Sequence, residues 1–542
     1  MKKKGFSKVA RGCTLLMCIV LSMFTAKALD GSWELLVKNA GIASMHTQVT
    51  HDGTVVLLDR TNIGASEIRL PHHRCRNNPH DQVLKHDCTA HSVEFTPGTN
   101  HIRPLFIFTD TWCSSGQMTM NGTLVQTGGD SDGFTKVRTF APCPPGGTCD
   151  WVESTDIALQ SGRWYATNHI LEDDTQVVIG GRGMFTMEFI PDNGRGLTVI
   201  DLLVDTNDFE NDNYYPFVNL LPDGTLWIFA NQDSIIYDYK KKVVVKTLPT
   251  LDGGPRNYPS AGSSVMLPLR ATDGFTTVQV LVCGGAQLGA FIAPRLREGA
   301  QKTCGRITLT DANPVWVMED MPYRRAMGDM VLLPSNDVLI INGAQNGSQG
   351  WGEASNPVYN PLLYKPSNRF GHRFRIQTPS MIPRLYHSTA NLLPDGRILI
   401  AGSNTHQFYT FTGIFPTELR VEAFSPKYLA AFNAGKRPAI VSSPATAGYG
   451  TTFTITFSVE LRRVVQVTMA SAPFVTHSYG QGQRLLVLGT STPVHTGSLN
   501  TYQITVTAPP SASVAPGGYY MTFVVNGGIP SVATWIQVSG SN

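Results

Sequence analysis

The strongest constraint on this chain is a unit that returns through its first 430 or so residues. Each copy has a tight turn, then an apolar strand that stops at a pair of small residues. The turns are His51-Asp52-Gly53-Thr54, Asn121-Gly122-Thr123, Asp173-Asp174-Thr175, Pro222-Asp223-Gly224, a less regular copy entering at Val278, Pro334-Ser335-Asn336-Asp337, and Pro394-Asp395-Gly396. The strands end at Leu58, Gly128-Gly129, Gly180-Gly181, Ala230-Asn231, Gly284-Gly285, Asn342-Gly343 and Gly402-Ser403. That makes seven copies, about 45–70 residues apart. Each reads as a hairpin whose strands expose apolar faces that one copy cannot bury alone. Seven sheets set radially in a closed ring bury those faces and leave little free edge.

The expected architecture is an all-β chain: a seven-bladed propeller over residues 29–436, with blades that resemble the kelch repeat. Composition agrees. Only 15% of residues are charged, against 51 Gly and 34 Pro, which disfavours bundles and coiled coils. After about Lys436 the texture changes to alternating runs such as Thr452-Phe453-Thr454-Ile455-Thr456-Phe457 and Tyr502-Gln503-Ile504-Thr505-Val506-Thr507. Residues 437–542 are therefore expected to form an immunoglobulin-like sandwich of the early-set type.

Residues 1–28 read as a secretory signal. Lys2, Lys3, Lys4 and Arg11 flank or precede an apolar run from Cys13 to Phe24, and Ala26-Lys27-Ala28 offers a cleavage site. The segment carries six of the 43 basic residues and no acid, so residues 29–542 hold 37 basic against 40 acidic residues. No basic footprint for nucleic acid remains, and no membrane partner is expected once the signal is gone. A monomer secreted to the extracellular space or cell wall is expected. Seven cysteines then remain, in a compartment that favours disulfides. Local pairing suggests Cys75–Cys88, Cys143–Cys149 and Cys283–Cys304, with Cys113 left over, although spacing alone does not exclude other partners. Asn121 and Asn346 head glycosylation triplets.

The repeat phase selects chemistry. Stepping back about 15 residues from each closing pair reaches Met45, Cys113, Tyr165, Tyr215, Tyr258 (across a longer hairpin), Ala326 and Tyr386. Equivalent positions of propeller blades share a ring about the axis, so an odd cysteine falls in phase with tyrosines. Tyr386 is followed by His387, and His477 stands in Thr476-His477-Ser478-Tyr479. Imidazole and phenolate donors suit Cu(II). The histidines must be neutral and one tyrosine ionised to bind it, and the metal itself lowers the phenol pKa. Tyr215 and Tyr258 read as packing residues. Arg163, Arg256 and Arg384 read as ties between blades rather than as substrate contacts, and His72, His73, His80, His86 and His91 as members of a disulfide-bounded polar loop, with zinc binding the alternative there.

These stretches, Thr111-Trp112-Cys113-Ser114-Ser115-Gly116, Arg163-Trp164-Tyr165, Pro383-Arg384-Leu385-Tyr386-His387-Ser388 and Thr476-His477-Ser478, resemble the copper radical oxidases of the galactose oxidase and glyoxal oxidase superfamily, and the plant glyoxal oxidase-like aldehyde oxidases most of all. The resemblance implies one copper ion and a thioether between Cys113 and Tyr165 that forms a protein radical cofactor. It implies Tyr165, His387 and His477 as equatorial ligands and Tyr386 as the axial one. Tyr386 would take the substrate hydroxyl proton, the Tyr165–Cys113 radical would abstract hydrogen from carbon, and O2 would be reduced to H2O2. The implied substrate is a small aldehyde. One departure stands out: galactose oxidase has a tryptophan just after the corresponding Gly-Gly, whereas here the run is Gly180-Gly181-Arg182-Gly183-Met184-Phe185. This favours the glyoxal side over oxidation of galactoside alcohols. A non-catalytic wall-glycan binding protein is the reading from another class.

Overall fold

The computed structural model describes residues 1, 30–144, 146–293 and 298–540. Apart from Met1, the expected signal lies outside the described residues. Turn chemistry sets the hairpins. In Pro222-Asp223-Gly224 the Asp223 carboxylate accepts hydrogen bonds from the Thr225 amide (3.0 Å) and hydroxyl (2.7 Å), and Gly224 takes φ 83°. Pro394-Asp395-Gly396 repeats the device, with the Arg397 amide 2.9 Å from Asp395 and Gly396 at φ 84°. A side chain closes the turn, and glycine supplies the left-handed residue.

Among the described residues, seven antiparallel meanders of four strands each follow one another along the chain. Their inner strands are His46–Val49, Ser115–Met118, Thr167–Ile170, Phe217–Leu220, Ser263–Met266, Asp329–Leu332 and Ser388–Leu392. In the last meander the outer strand comes from the start of the described chain. Ser32–Val37 pairs with Val421–Ser425, Trp33 opposite Phe424. The start of the described chain thus clasps the last strand of the ring itself, which ties closure to side-chain packing and backbone hydrogen bonds at once.

Residues beyond the ring form two facing sheets. One is built on Thr452–Ser458 and Thr501–Thr507, the other on Val465–Ala470, Gly518–Asn526 and Thr534–Ser539. Ile455, Phe457, Ile504 and Val506 meet Val467, Met469, Val524 and Ile536 in a core that also takes in Trp227 and Phe229 of the ring. Burying large apolar side chains across this boundary favours the two parts as one packed body. A hairpin of the second part, Phe474–Thr476 and Tyr479–Gln481, runs into the ring. It pairs with His46–Val49, Thr476 opposite His46, and touches all seven inner strands. Polar side chains lock it there. Gln481 accepts the Asn168 amide (3.0 Å), Gln483 accepts that of Leu332 (2.6 Å), and the Tyr479 hydroxyl lies 2.8 Å from the Val218 amide. Each satisfies a backbone group that burial would otherwise leave unpaired.

Candidate metal centre

The site begins in the backbone. Just ahead of six inner strands the chain turns through a left-handed residue: Cys113 (φ 49°), Tyr165 (67°), Tyr215 (48°), Ala261 (49°), Met327 (60°) and His387 (63°). Positive φ is uncommon for residues with a Cβ and costs of order 1–3 kcal/mol each. The ring holds these corners by stitching blades together: the Tyr165 amide donates to the Cys113 carbonyl and the Tyr215 amide to the Tyr165 carbonyl, both at 2.9 Å. Counting along the repeat points to Tyr258, Ala326 and Tyr386 as equivalents. The corners are instead Ala261, Met327 and His387: a step of 15 taken strictly from Asn342 and Gly402 lands on Met327 and His387, one residue past the positions counted, and only the copy with Ala261 carries extra residues ahead of its strand. At the tip of the axial hairpin both His477 (φ 45°) and Ser478 (φ 69°) are left-handed. That is the geometry of a two-residue hairpin turn that ordinarily selects Asn-Gly.

The small residues that close each hairpin leave room for the next corner. A Cβ on Gly128 would stand 2.1 Å from the Arg163 carbonyl oxygen, and one on Gly402 2.1 Å from that of Ser44. Beneath the corners lie the buried arginines. Arg163 donates to Glu188 and to the Gly180 carbonyl (both 2.8 Å), Arg256 to that of Gly284 (2.8 Å), and Arg384 to that of Gly402 (2.7 Å) and to Glu422 (2.9 Å). They are ties, but within a blade rather than between blades: each arginine enters one four-stranded sheet and bonds to the later strands of that same sheet. Arg163 and Glu188 are at most 1% exposed. Glu188→Ala therefore strands a buried cation two residues from Tyr165. A stability loss of roughly 3–5 kcal/mol is expected, read as a lowered denaturant midpoint.

The side chains converge where the hairpin tip meets the corners. Cys113, Tyr165, Tyr386, His387 and His477 come together there from widely separated parts of the chain and are at most 6% exposed. Among the described residues Cys113 is the free cysteine; the other six form Cys75–Cys88, Cys143–Cys149 and Cys283–Cys304. Its Sγ lies 3.2 Å from His477 Nε2, and Cys113 and Tyr165 share one buried cluster in which each acts electrostatically on the other. One donor atom each from Cys113, His387 and His477 lies within 4.8 Å of the others. The His387 and Tyr386 rings stack at 3.8 Å, and the His387 and His477 rings meet edge-on at 4.9 Å. The Thr476 hydroxyl is 2.6 Å from His477 Nδ1, which fixes the ring and turns Nε2 inward.

Burial and neighbouring imidazoles hold His387 and His477 well below the ordinary histidine range, so both are neutral with lone pairs available. His387 Nε2 is buried and has no hydrogen-bond partner. An orphaned acceptor facing a second imidazole and phenol hydroxyls is what a copper ion requires, so the residues fit that metal. Burial pushes the Tyr165 and Tyr386 phenols far up, so neither ionises without a nearby cation. The second cluster with metal-ligating atoms, Cys75, His86 and Cys88, has its two sulfurs joined in a disulfide.

Two residues of the centre escape sequence reasoning. The Tyr258 hydroxyl sits between those of Tyr165 (3.3 Å) and Tyr386 (3.1 Å), and its ring stacks on Tyr165 at 4.5 Å. Tyr258 thus belongs to the centre, whereas Tyr215 donates to the Ser114 carbonyl (3.0 Å) as a packing tyrosine should. Trp164 packs on Tyr165 at 4.7 Å and against Trp112 at 4.9 Å. An indole therefore does cover Tyr165, supplied by its own chain neighbour. The clue lies in Trp112-Cys113 and Trp164-Tyr165, where two corners share the same preceding residue.

Known proteins share this architecture. The glyoxal oxidase N-terminus model matches residues 45–428, and the galactose oxidase-like early set model matches residues 437–538. The chain is 56% identical to the aldehyde oxidase GLOX of Vitis pseudoreticulata over 94% of its own length and 97% of the relative's. It is 44% identical to aldehyde oxidase GLOX1 of Arabidopsis thaliana, covering 94% and 84%. A fungal alcohol oxidase of the AA5 family, solved in complex with copper, superposes with a TM-score of 0.72 at 19% identity over 94% of this chain and 99% of that one. Fold and centre together define a copper radical oxidase, a class that uses one copper ion and a Cys–Tyr radical cofactor. The chain belongs to the glyoxal oxidase family.

Proposed function

We propose that this protein oxidises small aldehydes to carboxylic acids and reduces O2 to H2O2. The balance is one aldehyde, one water and one O2 giving one acid and one H2O2. Tyr165, Tyr386, His387 and His477 would hold copper, and Cys113 would be joined to Tyr165. The bound copper and the cross-linked tyrosine together supply a two-electron acceptor. The protein's residues do the rest. Tyr386, with its hydroxyl 3.1 Å from that of Tyr258, takes the hydroxyl proton of the hydrated aldehyde at its phenol oxygen. Thr476 orients His477, and the Trp112–Trp164 pair keeps water from the Tyr165 ring.

The observation that carries the reading is a buried centre built from four separate stretches of chain, in which His387 Nε2 has no hydrogen-bond partner and one donor atom each of Cys113, His387 and His477 lies within 4.8 Å of the others. We place the signal at 1–28, the propeller at 29–436 and the appended domain at 437–542, and take the mature protein to be a secreted monomer of the extracellular space or wall. Asn121, exposed in its hairpin turn, and Asn346 are the proposed sugar acceptors. The test is H2O2 release by copper-loaded protein from glyoxal, methylglyoxal, glycolaldehyde, galactose and a galactose-bearing polysaccharide. Peroxide from the small aldehydes is expected. Peroxide from the galactosides alone would move the substrate to primary alcohols. None at all, with no Cys113–Tyr165 cross-link by mass, would leave a glycan-binding protein.

A further inference from the structure

A cavity of about 140 Å³ opens onto the exposed side of Tyr165, between Tyr258, Tyr214, Pro259 and Phe291. Among the described residues two charged side chains line it. Glu210 is spent: its carboxylate accepts the amides of Phe291 (2.8 Å) and Ile292 (2.7 Å) and also that of Gly289, which pins the loop bearing Phe291 over the cavity. Arg182 is not spent. It forms no ion pair among the described residues, and it stands exposed at the position that follows Gly180-Gly181. Its backbone is fixed, the amide donating to the Trp164 carbonyl at 2.6 Å, and its guanidinium lies 5.0 Å over the Trp164 ring. Its charge also acts on the Tyr214 phenol beside it, opposing the upward push of burial. Tyr214 stacks on Tyr165 at 5.5 Å and lies nearly parallel to Tyr258, with 12° between the planes, so aromatic walls flank the cation.

We propose that Arg182, with the Tyr214 hydroxyl, is a carboxylate subsite, and that the enzyme prefers short aldehydes bearing a carboxylate on the far end. A guanidinium stacked on an indole keeps its fork free for two oxygens while losing little side-chain freedom on binding. The carboxylate anchors at the cavity mouth, and the aldehyde carbon is directed to Tyr165. This inference rests on the aldehyde-oxidase reading for its catalytic arm only.

The experiment compares glyoxylate with uncharged glyoxal in Arg182→Met, Arg182→Lys and unaltered copper-loaded protein. Arg182→Met is expected to raise KM for glyoxylate by about tenfold or more, the scale of one charge-assisted hydrogen bond, with kcat kept and KM for glyoxal nearly unchanged. Arg182→Lys should recover part of the loss. Equal effects on both aldehydes, or none on glyoxylate, would overturn the proposal. A second arm needs no turnover. Ligand-observed NMR on copper-free protein follows oxamate, a carboxylate, against its uncharged amide, oxamide. Oxamate binding that is lost in Arg182→Met supports the subsite even if no aldehyde is oxidised. Oxamate binding that survives in Arg182→Met, or that does not exceed oxamide in unaltered protein, overturns it.

Discussion

Cys113→Ala is expected to cut turnover by on the order of 10⁴-fold, the scale on which removing one member of an interdependent catalytic set is felt. In unaltered, copper-treated protein the peptides of Cys113 and Tyr165 should be found joined, with a mass two hydrogens below their sum. The alanine variant should yield both peptides free. The argument rests on position. Cys113 is fully buried, is the free cysteine of the described chain, and sits in a left-handed corner beside Tyr165. The corner is shared with Ala261 and Met327, so what singles out Cys113 is a sulfur placed at that corner beside Tyr165. Losing one buried sulfur costs about 1 kcal/mol, so the variant should fold and keep copper. A variant that turned over normally, or unaltered protein with both peptides free after copper treatment, would remove the Cys113–Tyr165 cofactor from the mechanism.

The second large effect is on metal affinity. His477→Ala should weaken copper binding by well over the roughly 10–100-fold typical of losing a residue that only orients a ligand. Thr476→Val, which removes the 2.6 Å contact to Nδ1, should fall within that smaller range. Copper content after dialysis against a graded chelator measures both. The hairpin should stay in place without His477, since Tyr479, Gln481 and Gln483 hold it by their own hydrogen bonds. His495→Ala, at an exposed position, is the control that should keep its copper. Full copper retention by His477→Ala would take the hairpin out of the metal site.

Much of this centre is legible because the repeat is a ruler. Turn residues and apolar strands recur, so a position counted from Gly128 or Gly180 names a place on the ring by spacing alone. The ruler slips where loops vary in length. Between Arg256 and the strand Ser263–Met266 extra residues intervene, so the corner moves to Ala261 and releases Tyr258 to reach the centre from the side. Spacing therefore assigns Tyr258 to packing. Trp164 escapes for another reason: the family's example puts its shielding indole after the Gly-Gly, while the indole over Tyr165 comes from the residue before it.

Sequence alone determined the all-β character and the turns, because periodicity and turn chemistry are written locally; it suggested the three disulfide pairs by proximity and, through the family resemblance, pointed to the five chemical residues. Only the tertiary structure decided that the second part sends a hairpin to touch all seven inner strands, that Tyr258 reaches the centre, and that Arg182 faces a cavity. Those facts depend on ring closure. Until Ser32–Val37 clasps Val421–Ser425, residues 113 to 477 share no axis, and no local pattern can say which side chains will meet there.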